Sequence, residues 1–310
     1  MMLRISKSLL LASIIFTFHL SSFTSQAQDS AYARRVIRDL SSPEMFGRGM
    51  QHRGDSIAAE YLRQELRALG VKPLPGVSKG TRGIGEKDEY FQYFRFPRTT
   101  TQPPIVKAGY RSQNVCGYIP GETDTMIVFT AHYEHLGMNG DTIFYGAHDN
   151  ASGTAAVMDL ARMANLQRGH YTHVFLLFGG EESGLIGSSY FADNPLIRLS
   201  KVKLLINIDL FCGGDEGLMV VNANSNETSA YVDKLQQIND LHGFAAKIGR
   251  RDNARNSDHY YFTSECPAIF IYTLGGPFGG YHSPTDTCEG CGLANYNNYI
   301  SLIRAFLEQL

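Results

Sequence analysis

The sequence predicts an α/β fold: one three-layer α/β/α domain built around a mixed, mostly parallel central sheet. Runs that are apolar along almost their whole length alternate with segments whose apolar residues recur at helical spacing. A strand that is apolar along almost its whole length is buried on both faces, which requires helices on both sides of a largely parallel sheet. The chain has 310 residues, 43% hydrophobic and 19% charged, so it is large enough to bury such a core.

The N-terminal part of this domain is expected to be helical. Apolar residues recur at helical spacing over residues 30–41 and again over 54–69, and Gly70 supplies a stop for the second helix. A polar, glycine-rich stretch at 75–88 follows. Both predicted helices therefore come before the first predicted strand of the sheet.

The rest of the domain alternates between strands and helices. We expect strands at the apolar runs, which are 91–96, 114–119, 125–131, 173–178, 203–210 and 268–273. Helices are expected at 152–165 and 295–310, with helical or mixed segments between the later strands. In a sheet of this kind the ligand site lies beyond the carboxyl ends of the strands.

The first 27 residues follow the plan of a secretory signal peptide. Arg4 and Lys7 precede an apolar run at 9–20, and small residues stand three and one positions before the expected cleavage after Ala27. The apolar run is too short to span a bilayer, for which about 20 residues are needed. We therefore expect an exported protein, periplasmic or secreted, whose residues 28–310 form one domain without a membrane span.

Charge and cysteine content narrow the possible partners. The 28 Lys and Arg residues nearly balance the 30 Asp and Glu residues, so the chain lacks the basic excess of a nucleic-acid-binding protein. Export permits disulfide bonds, and Cys288 with Cys291 could close a tight loop. An odd number of cysteines leaves at least one thiol unpaired. The sequence leaves the pairing open among Cys116, Cys212, Cys266, Cys288 and Cys291.

Histidines and acidic residues stand just beyond the predicted strands. They are His132 and Glu134 after strand 125–131, Asp149 before the next helix, Glu181 and Glu182 after strand 173–178, Asp209 near the end of strand 203–210, and His282 with Asp286 in a late turn. So many carboxylates at one edge of a sheet repel one another unless cations neutralise them. Imidazole and carboxylate together are ligands that zinc accepts, so the pattern predicts a zinc site.

Six motifs resemble, in order and spacing, the dizinc exopeptidases of the M28 type, which are bacterial leucyl aminopeptidases and their relatives. They read AHYEHLG, GAHDNASG, GGEESGLIGS, NID, SDHYYF and YHSPTDT. The resemblance covers nearly all of residues 28–310 and implies a zinc peptidase catalytic domain. The activity that it implies first is that of a metallo-aminopeptidase, which removes N-terminal residues from peptide substrates.

The resemblance also implies two zinc ions per chain and a role for each site residue. His132 and Asp209 would bind one zinc, Glu182 and His282 would bind the other, and Asp149 would bridge the two. Glu181 would be the general base, taking a proton from the attacking water and passing it to the leaving amine.

Two positions depart from the family pattern. The family usually has an aspartate where this chain has Glu134, which would orient His132 although its side chain is one methylene longer. The family often has an acid where this chain has His148. Neither change removes a ligand, so we expect an active enzyme. Asp286 is the corresponding residue expected to orient His282.

The sequence indicates the substrate less directly than it indicates the metal ligands. The aromatic side chains of Tyr272, Phe278 and Tyr281 favour a pocket for a hydrophobic first side chain, and Asp258 either shapes that pocket or caps a short helix. A carboxypeptidase or dipeptidase of the same fold is the near alternative. Glutaminyl cyclisation by a single-zinc relative and a non-catalytic binding protein are more distant, because the complete ligand set argues against both. The oligomeric state stays open.

Overall fold

The computed structural model describes residues 30–75, 77, 89–100, 104–166, 169–276 and 280–310. The expected signal peptide lies outside these residues. Within them the expected fold class is confirmed, since helices pack on both faces of a mixed central sheet. No helix in this described part of the chain is long and apolar enough to cross a membrane.

The helices and strands of the described residues are numbered in chain order. The helices are α1 (Ser30–Leu40), α2 (Gly54–Ala68), α3 (Gly153–Leu166), α4 (Ile186–Asp193), α5 (Ser229–His242) and α6 (Tyr296–Leu307). The strands are β1 (Lys72–Pro73), β2 (Phe91–Arg95), β3 (Arg111–Ile119), β4 (Met126–His132), β5 (Met138–Asn139), β6 (Thr142–Ile143), β7 (Thr172–Phe178), β8 (Val202–Ile208), β9 (Gly217–Val221), β10 (Ile248–Arg250) and β11 (Ala268–Leu274).

A nine-stranded sheet forms the middle layer, in the order β1-β3-β7-β4-β8-β11-β9-β10, with β2 also paired to β3. The four central strands β7, β4, β8 and β11 are parallel to one another. β3 pairs with β7 and β9 pairs with β11 in the antiparallel sense, so the sheet is mixed. The carboxyl ends of the central strands therefore meet at one edge, and so do the loops that follow them.

Successive side chains of the central strands point to opposite faces of the sheet, and helices cover each face, which produces the three layers. In β7, Phe175 and Leu177 belong to a core that also includes residues of α1, α3, α5 and α6. Leu176 and Phe178 belong to a second core, which includes Phe191 of α4. Because successive strand residues point to opposite faces of a sheet, a strand covered on both sides is apolar throughout, as the sequence pattern indicates.

The expected elements are present with small shifts at their ends, and the differences have local causes. The strand expected at 203–210 ends at Ile208, so Asp209 is the first residue beyond it. The helix expected from Ser152 begins at Gly153, after an irregular turn at Ala147–Ser152. The sequence did not locate β9 or β10, which are only five and three residues long, too short for a periodic pattern to identify.

Candidate metal centre

One half of the site lies at the ends of two parallel strands. His132 is the last residue of β4, and Asp209 directly follows β8. His132 Nε2 and Asp209 Oδ1 lie 3.3 Å apart, and both side chains are buried. Ser257 donates its hydroxyl hydrogen to Asp209 Oδ2 at 2.8 Å. We call His132 and Asp209 the strand half-site.

The other half depends on two loops. Glu182 lies in the loop after β7, and His282 lies in a turn that precedes α6. His282 Nε2 is 3.1 Å from Glu182 Oε2. The His282 side chain is 38% exposed, whereas that of Glu182 is 5% exposed. We call Glu182 and His282 the loop half-site, and it is the more open of the two.

Asp149 lies between the half-sites. Its Oδ1 is 3.3 Å from His132 Nε2, and its Oδ2 is 3.1 Å from His282 Nε2. One carboxylate therefore faces both histidines, each with a different oxygen. This arrangement is the one required of a ligand that bridges two metal ions. The peptide bond between Asp149 and Asn150 is cis.

Asp286 fixes the segment that carries Asp149. Its Oδ1 accepts the amide hydrogen of His148 at 2.7 Å, and its Oδ2 accepts that of Asp149 at 3.0 Å. Gly146 allows the turn before them, since its φ is +59° and a Cβ there would lie 2.3 Å from the Asp149 carbonyl oxygen. Asp286 therefore positions the bridging candidate Asp149, and the expectation that it orients His282 stays a prediction.

Glu134 connects the two half-sites in a way the sequence did not predict. Its Oε2 is 3.7 Å from His132 Nδ1, which is too long for a hydrogen bond. His132 Nδ1 lies nearer to the carbonyl oxygen of Glu134, at 3.2 Å. Glu134 Oε1 instead accepts the amide hydrogen of Glu182 at 2.9 Å. The longer glutamate side chain thus reaches the next loop, while the backbone carbonyl contacts the imidazole.

Glu181 lies beside the strand half-site. Its carboxylate forms a group with His132 and Asp209 in which the potential ligand atoms all lie within 4.8 Å of one another. The loop that carries it is compact, because a Cβ on Gly187 at the start of α4 would come 2.2 Å from the Gly179 carbonyl oxygen. The two neighbouring glutamates of this loop therefore serve different half-sites.

His135 was not counted as a ligand from the sequence, yet it lies beside the loop half-site. Its Nδ1 is 2.9 Å from Glu182 Oε1 and 4.0 Å from Asp149 Oδ2, and these three residues form a second group of potential ligands. Glu182 uses its other oxygen toward His282, so His135 holds the carboxylate in that orientation. The sequence signal was the close spacing of His135 and His132.

Arg48 is a second residue whose role the sequence did not reveal. It is fully buried, and burial lowers the pKa of its guanidinium to about 10. The guanidinium donates to backbone carbonyl oxygens at 2.6–2.8 Å, which belong to Leu40, Tyr133, Tyr145 and Gly146. Arg48 therefore ties α1 to the loops that carry Glu134 and Asp149.

The carboxylates of the site create a demand for positive charge. Burial lowers the pKa of His132, but the charges of Asp209 and Glu181 outweigh it and raise this pKa well above its ordinary value. Hydrogen bonds to Asp149 and Glu182 raise the pKa of His282 to about 10. Both imidazoles are thus drawn toward protonation, and a bound cation would meet the same demand.

The acidic side chains respond in opposite ways. Burial would raise the pKa of Asp149, but hydrogen bonds from His132 and His282 hold it well below its ordinary value. Burial raises the pKa of Glu181 well above its ordinary value, and it has no such imidazole hydrogen bond. Asp209 Oδ1 is buried 3.3 Å from His132 Nε2 and makes no well-aligned hydrogen bond within the described residues, which is costly unless a cation contacts it. The two imidazoles and three carboxylates fit zinc.

A cavity of about 280 Å³ opens beside the acidic groups. Tyr272 and Tyr281, two of the residues expected in the substrate pocket, line it, and so do Arg251 and Asn256. The other lining residues are His132, Asp149, Glu181, Glu182, Asp209, Leu210 and Phe270. Asp258 is fully buried and is not among the described residues that line the cavity; burial raises its pKa to about 7. The predicted pocket residue Phe278 lies outside the described residues.

The disulfide of the described residues differs from the tight loop considered from the sequence. Cys212 is bonded to Cys291, with their Cα atoms 5.5 Å apart, and Cys288 remains a free thiol. Cys212 belongs to the loop after Asp209, and Cys291 belongs to the segment between His282 and α6. The bond therefore links the two chain segments that supply one residue to each half-site.

A model of peptidase family M28 matches residues 114–307, which include the site described above except for Arg48. The chain belongs to peptidase family M28. Among its relatives, Aminopeptidase YwaD of Bacillus subtilis (strain 168) is 30% identical over 154 residues, which are 48% of this chain and 33% of that protein. The chain spans about a third of the length of the curated relatives it matches.

Two solved structures resemble this M28 chain along almost their full length. A leucine aminopeptidase precursor from Bacteroides thetaiotaomicron matches with a TM-score of 0.68 and 16% identity, over 89% of this chain and 95% of that one. A glutaminyl cyclase from Porphyromonas gingivalis matches with a TM-score of 0.70 and 14% identity, over 90% and 98%. At these identities the likeness concerns the fold, and it does not separate the two activities.

Proposed function

We propose that this M28 protein is an exported aminopeptidase that hydrolyses the N-terminal peptide bond of peptides with two zinc ions. The observation that carries the proposal is the position of Asp149, whose two oxygens face His132 and His282 from between the half-sites. Glu181, a carboxylate with a raised pKa, stands beside this arrangement and lines the same cavity. An exported location follows from the signal-peptide pattern alone.

In this proposal each half-site would hold one ion. His132 and Asp209 would hold the first, Glu182 and His282 would hold the second, and Asp149 would contribute to both. Bound zinc supplies Lewis acidity, which lowers the pKa of water and polarises a carbonyl group. Glu134, His135, Asp286 and Arg48 keep the ligands in place through the hydrogen bonds described above.

The proton transfers are assigned to Glu181. Burial makes its carboxylate a stronger base than an ordinary glutamate, because it raises the pKa. Glu181 takes a proton from the attacking water at one of its carboxylate oxygens and later delivers that proton to the leaving amine. Tyr272 and Tyr281 also line the cavity, where their rings would pack against the side chain of the first substrate residue.

Two other reactions are accommodated by the same fold. A carboxypeptidase or dipeptidase would use the same ligands with the peptide bound in another direction. Cyclisation of an N-terminal glutamine is the second candidate, since a glutaminyl cyclase shares this fold over nearly its whole length. The complete set of five ligands favours hydrolysis with two ions over a single-zinc cyclase.

A panel of small peptides separates these reactions. The zinc-loaded protein is incubated with a free peptide, its N-acetylated and C-amidated forms, and a peptide with N-terminal glutamine, and the products are identified by mass spectrometry. An aminopeptidase shortens the free and amidated peptides from the amino end and leaves the acetylated one intact. Loss of residues from the carboxyl end, or loss of ammonia from the glutamine peptide without shortening, would contradict the proposal.

A further inference from the structure

The cavity beside the metal centre is lined by side chains of both charge signs. Asp149, Glu181, Glu182 and Asp209 line it, and so do Arg251 and the polar side chain of Asn256. A purely apolar pocket, as expected from the aromatic residues of the sequence, would not contain a guanidinium group. Arg251 therefore needs an explanation in terms of what the cavity binds.

Arg251 is held in a defined position. Its backbone amide donates to the Val220 carbonyl oxygen at 2.9 Å, and its carbonyl oxygen accepts the Ala223 amide hydrogen at 3.0 Å. Its Nη1 donates to the Tyr272 hydroxyl oxygen at 2.9 Å, and the Tyr272 ring lies against Phe270, with ring centroids 5.2 Å apart. The guanidinium is thus oriented by Tyr272, an aromatic residue that also lines the cavity.

The charge of Arg251 is not neutralised within the described residues, where none of the ion pairs includes it. Its neighbour Arg250, by contrast, forms an ion pair with Asp233, and the nearby Asp252 accepts a hydrogen bond from Asn224. A guanidinium has five N–H donors in a planar fork that matches a carboxylate. One of them is donated to Tyr272, and within the described part of the chain no other side-chain hydrogen bond of Arg251 is found, so a ligand can accept the rest.

We propose that Arg251 binds a carboxylate of the substrate, so that the cavity prefers substrates that carry a negative charge close to the free amino group. This inference rests on the proposed function and names its substrate class. The acidic residues that line the cavity suit the amino group, and Arg251 suits the carboxylate. The carboxylate is supplied either by an acidic first side chain or by the terminal carboxylate of a dipeptide.

Two peptide pairs distinguish these sources. Glu-Ala-Ala-amide and Gln-Ala-Ala-amide differ only in the charge of the first side chain, and Leu-Ala and Leu-Ala-amide differ only in the terminal charge. For each pair kcat/KM is measured with zinc-loaded wild type, Arg251→Met and Arg255→Met. Arg255 is the matched control, since it donates to the Tyr261 hydroxyl at 2.8 Å in the same way but does not line the cavity.

We expect wild type to prefer the charged member of one pair by about 10- to 100-fold, the usual worth of a charge-assisted hydrogen bond. Arg251→Met should abolish that preference, and Arg255→Met should keep it. A preference in the glutamate pair identifies the side chain as the source, and one in the dipeptide pair identifies the terminal carboxylate. Equal rates within both pairs, or a preference that survives Arg251→Met, would overturn the proposal.

A binding measurement keeps the inference separate from the proposed function. If wild type cleaves none of the peptides, the proposed function fails, and calorimetry then compares the binding of the two members of each peptide pair. Tighter binding of the charged member of one pair that disappears in Arg251→Met supports a carboxylate site in a protein with another activity. Equal affinities within both pairs overturn it. Thermal unfolding of each variant verifies that the fold is intact.

Discussion

The two half-sites of the metal centre are built in different ways. His132 and Asp209 directly end or follow parallel strands, and both are buried. Glu182 and His282 lie in loops, and His282 is substantially exposed. The strand half-site therefore inherits its geometry from the sheet, whereas the loop half-site depends on added contacts from His135, Glu134 and the disulfide. We therefore expect that loss of a contact that holds one half-site weakens zinc binding there and leaves zinc binding at the other half-site unchanged.

The largest effect is expected for the two adjacent glutamates. Glu181→Gln should lower kcat by at least about 10²- to 10⁴-fold, because it removes proton transfer, and should leave the zinc content unchanged. Glu182→Gln should instead lower the zinc content, because it removes a ligand of the loop half-site. Steady-state kinetics and elemental analysis of the same preparations test both. Loss of zinc from Glu181→Gln would show that Glu181 is a zinc ligand, so the two glutamates would not differ in role.

The next effect concerns the independence of the halves. His282→Ala should retain about one zinc per chain, since the strand half-site with Asp149 still offers three ligands. Asp149→Asn should weaken the binding of both ions, because the two oxygens of Asp149 face the two half-sites. Zinc is counted after dialysis against a moderate chelator. If His282→Ala lost both ions as readily as Asp149→Asn, the halves would form one cooperative unit.

A smaller effect is expected for the residue that connects the halves. Glu134→Ala should weaken zinc binding about 10- to 100-fold, as loss of a group that orients a ligand does. Glu134→Asp should retain the charge but lose reach to the Glu182 amide, so its affinity should lie between those of wild type and Glu134→Ala. Competition with a chromophoric chelator measures the affinities. Wild-type affinity in Glu134→Ala would show that the contact is incidental.

The disulfide should influence stability more than catalysis. Cys212→Ser is expected to lower the free energy of unfolding by about 2–4 kcal/mol, since the bond closes a long loop in the unfolded chain. Cys288→Ser is the control and should change it by less than about 0.5 kcal/mol. Urea unfolding of the zinc-loaded protein, without reducing agent, measures both. A larger loss in Cys288→Ser would mean that another pairing is populated.

The sequence predicted the strand half-site more fully than its surroundings. Strand ends are visible as the points where apolar runs stop, so His132 and Asp209 could be placed at one edge of a parallel sheet. The partners of Asp286 and of the Glu134 carboxylate could not be predicted, because each reaches a backbone amide in a distant segment. The contacts of His135 and Arg48 could not be predicted for the same reason, since they join loops whose arrangement the sequence does not give.

The sequence by itself determined the fold class, the order of strands and helices along the chain, and the candidate ligands. It could do so because burial on two faces and the ends of parallel strands leave local patterns in the chain. Only the tertiary structure decided that Asp149 faces both histidines, that Cys212 pairs with Cys291, and that Arg251 lines the cavity. Each of these depends on distances between segments far apart in the chain, which packing sets and local pattern does not record.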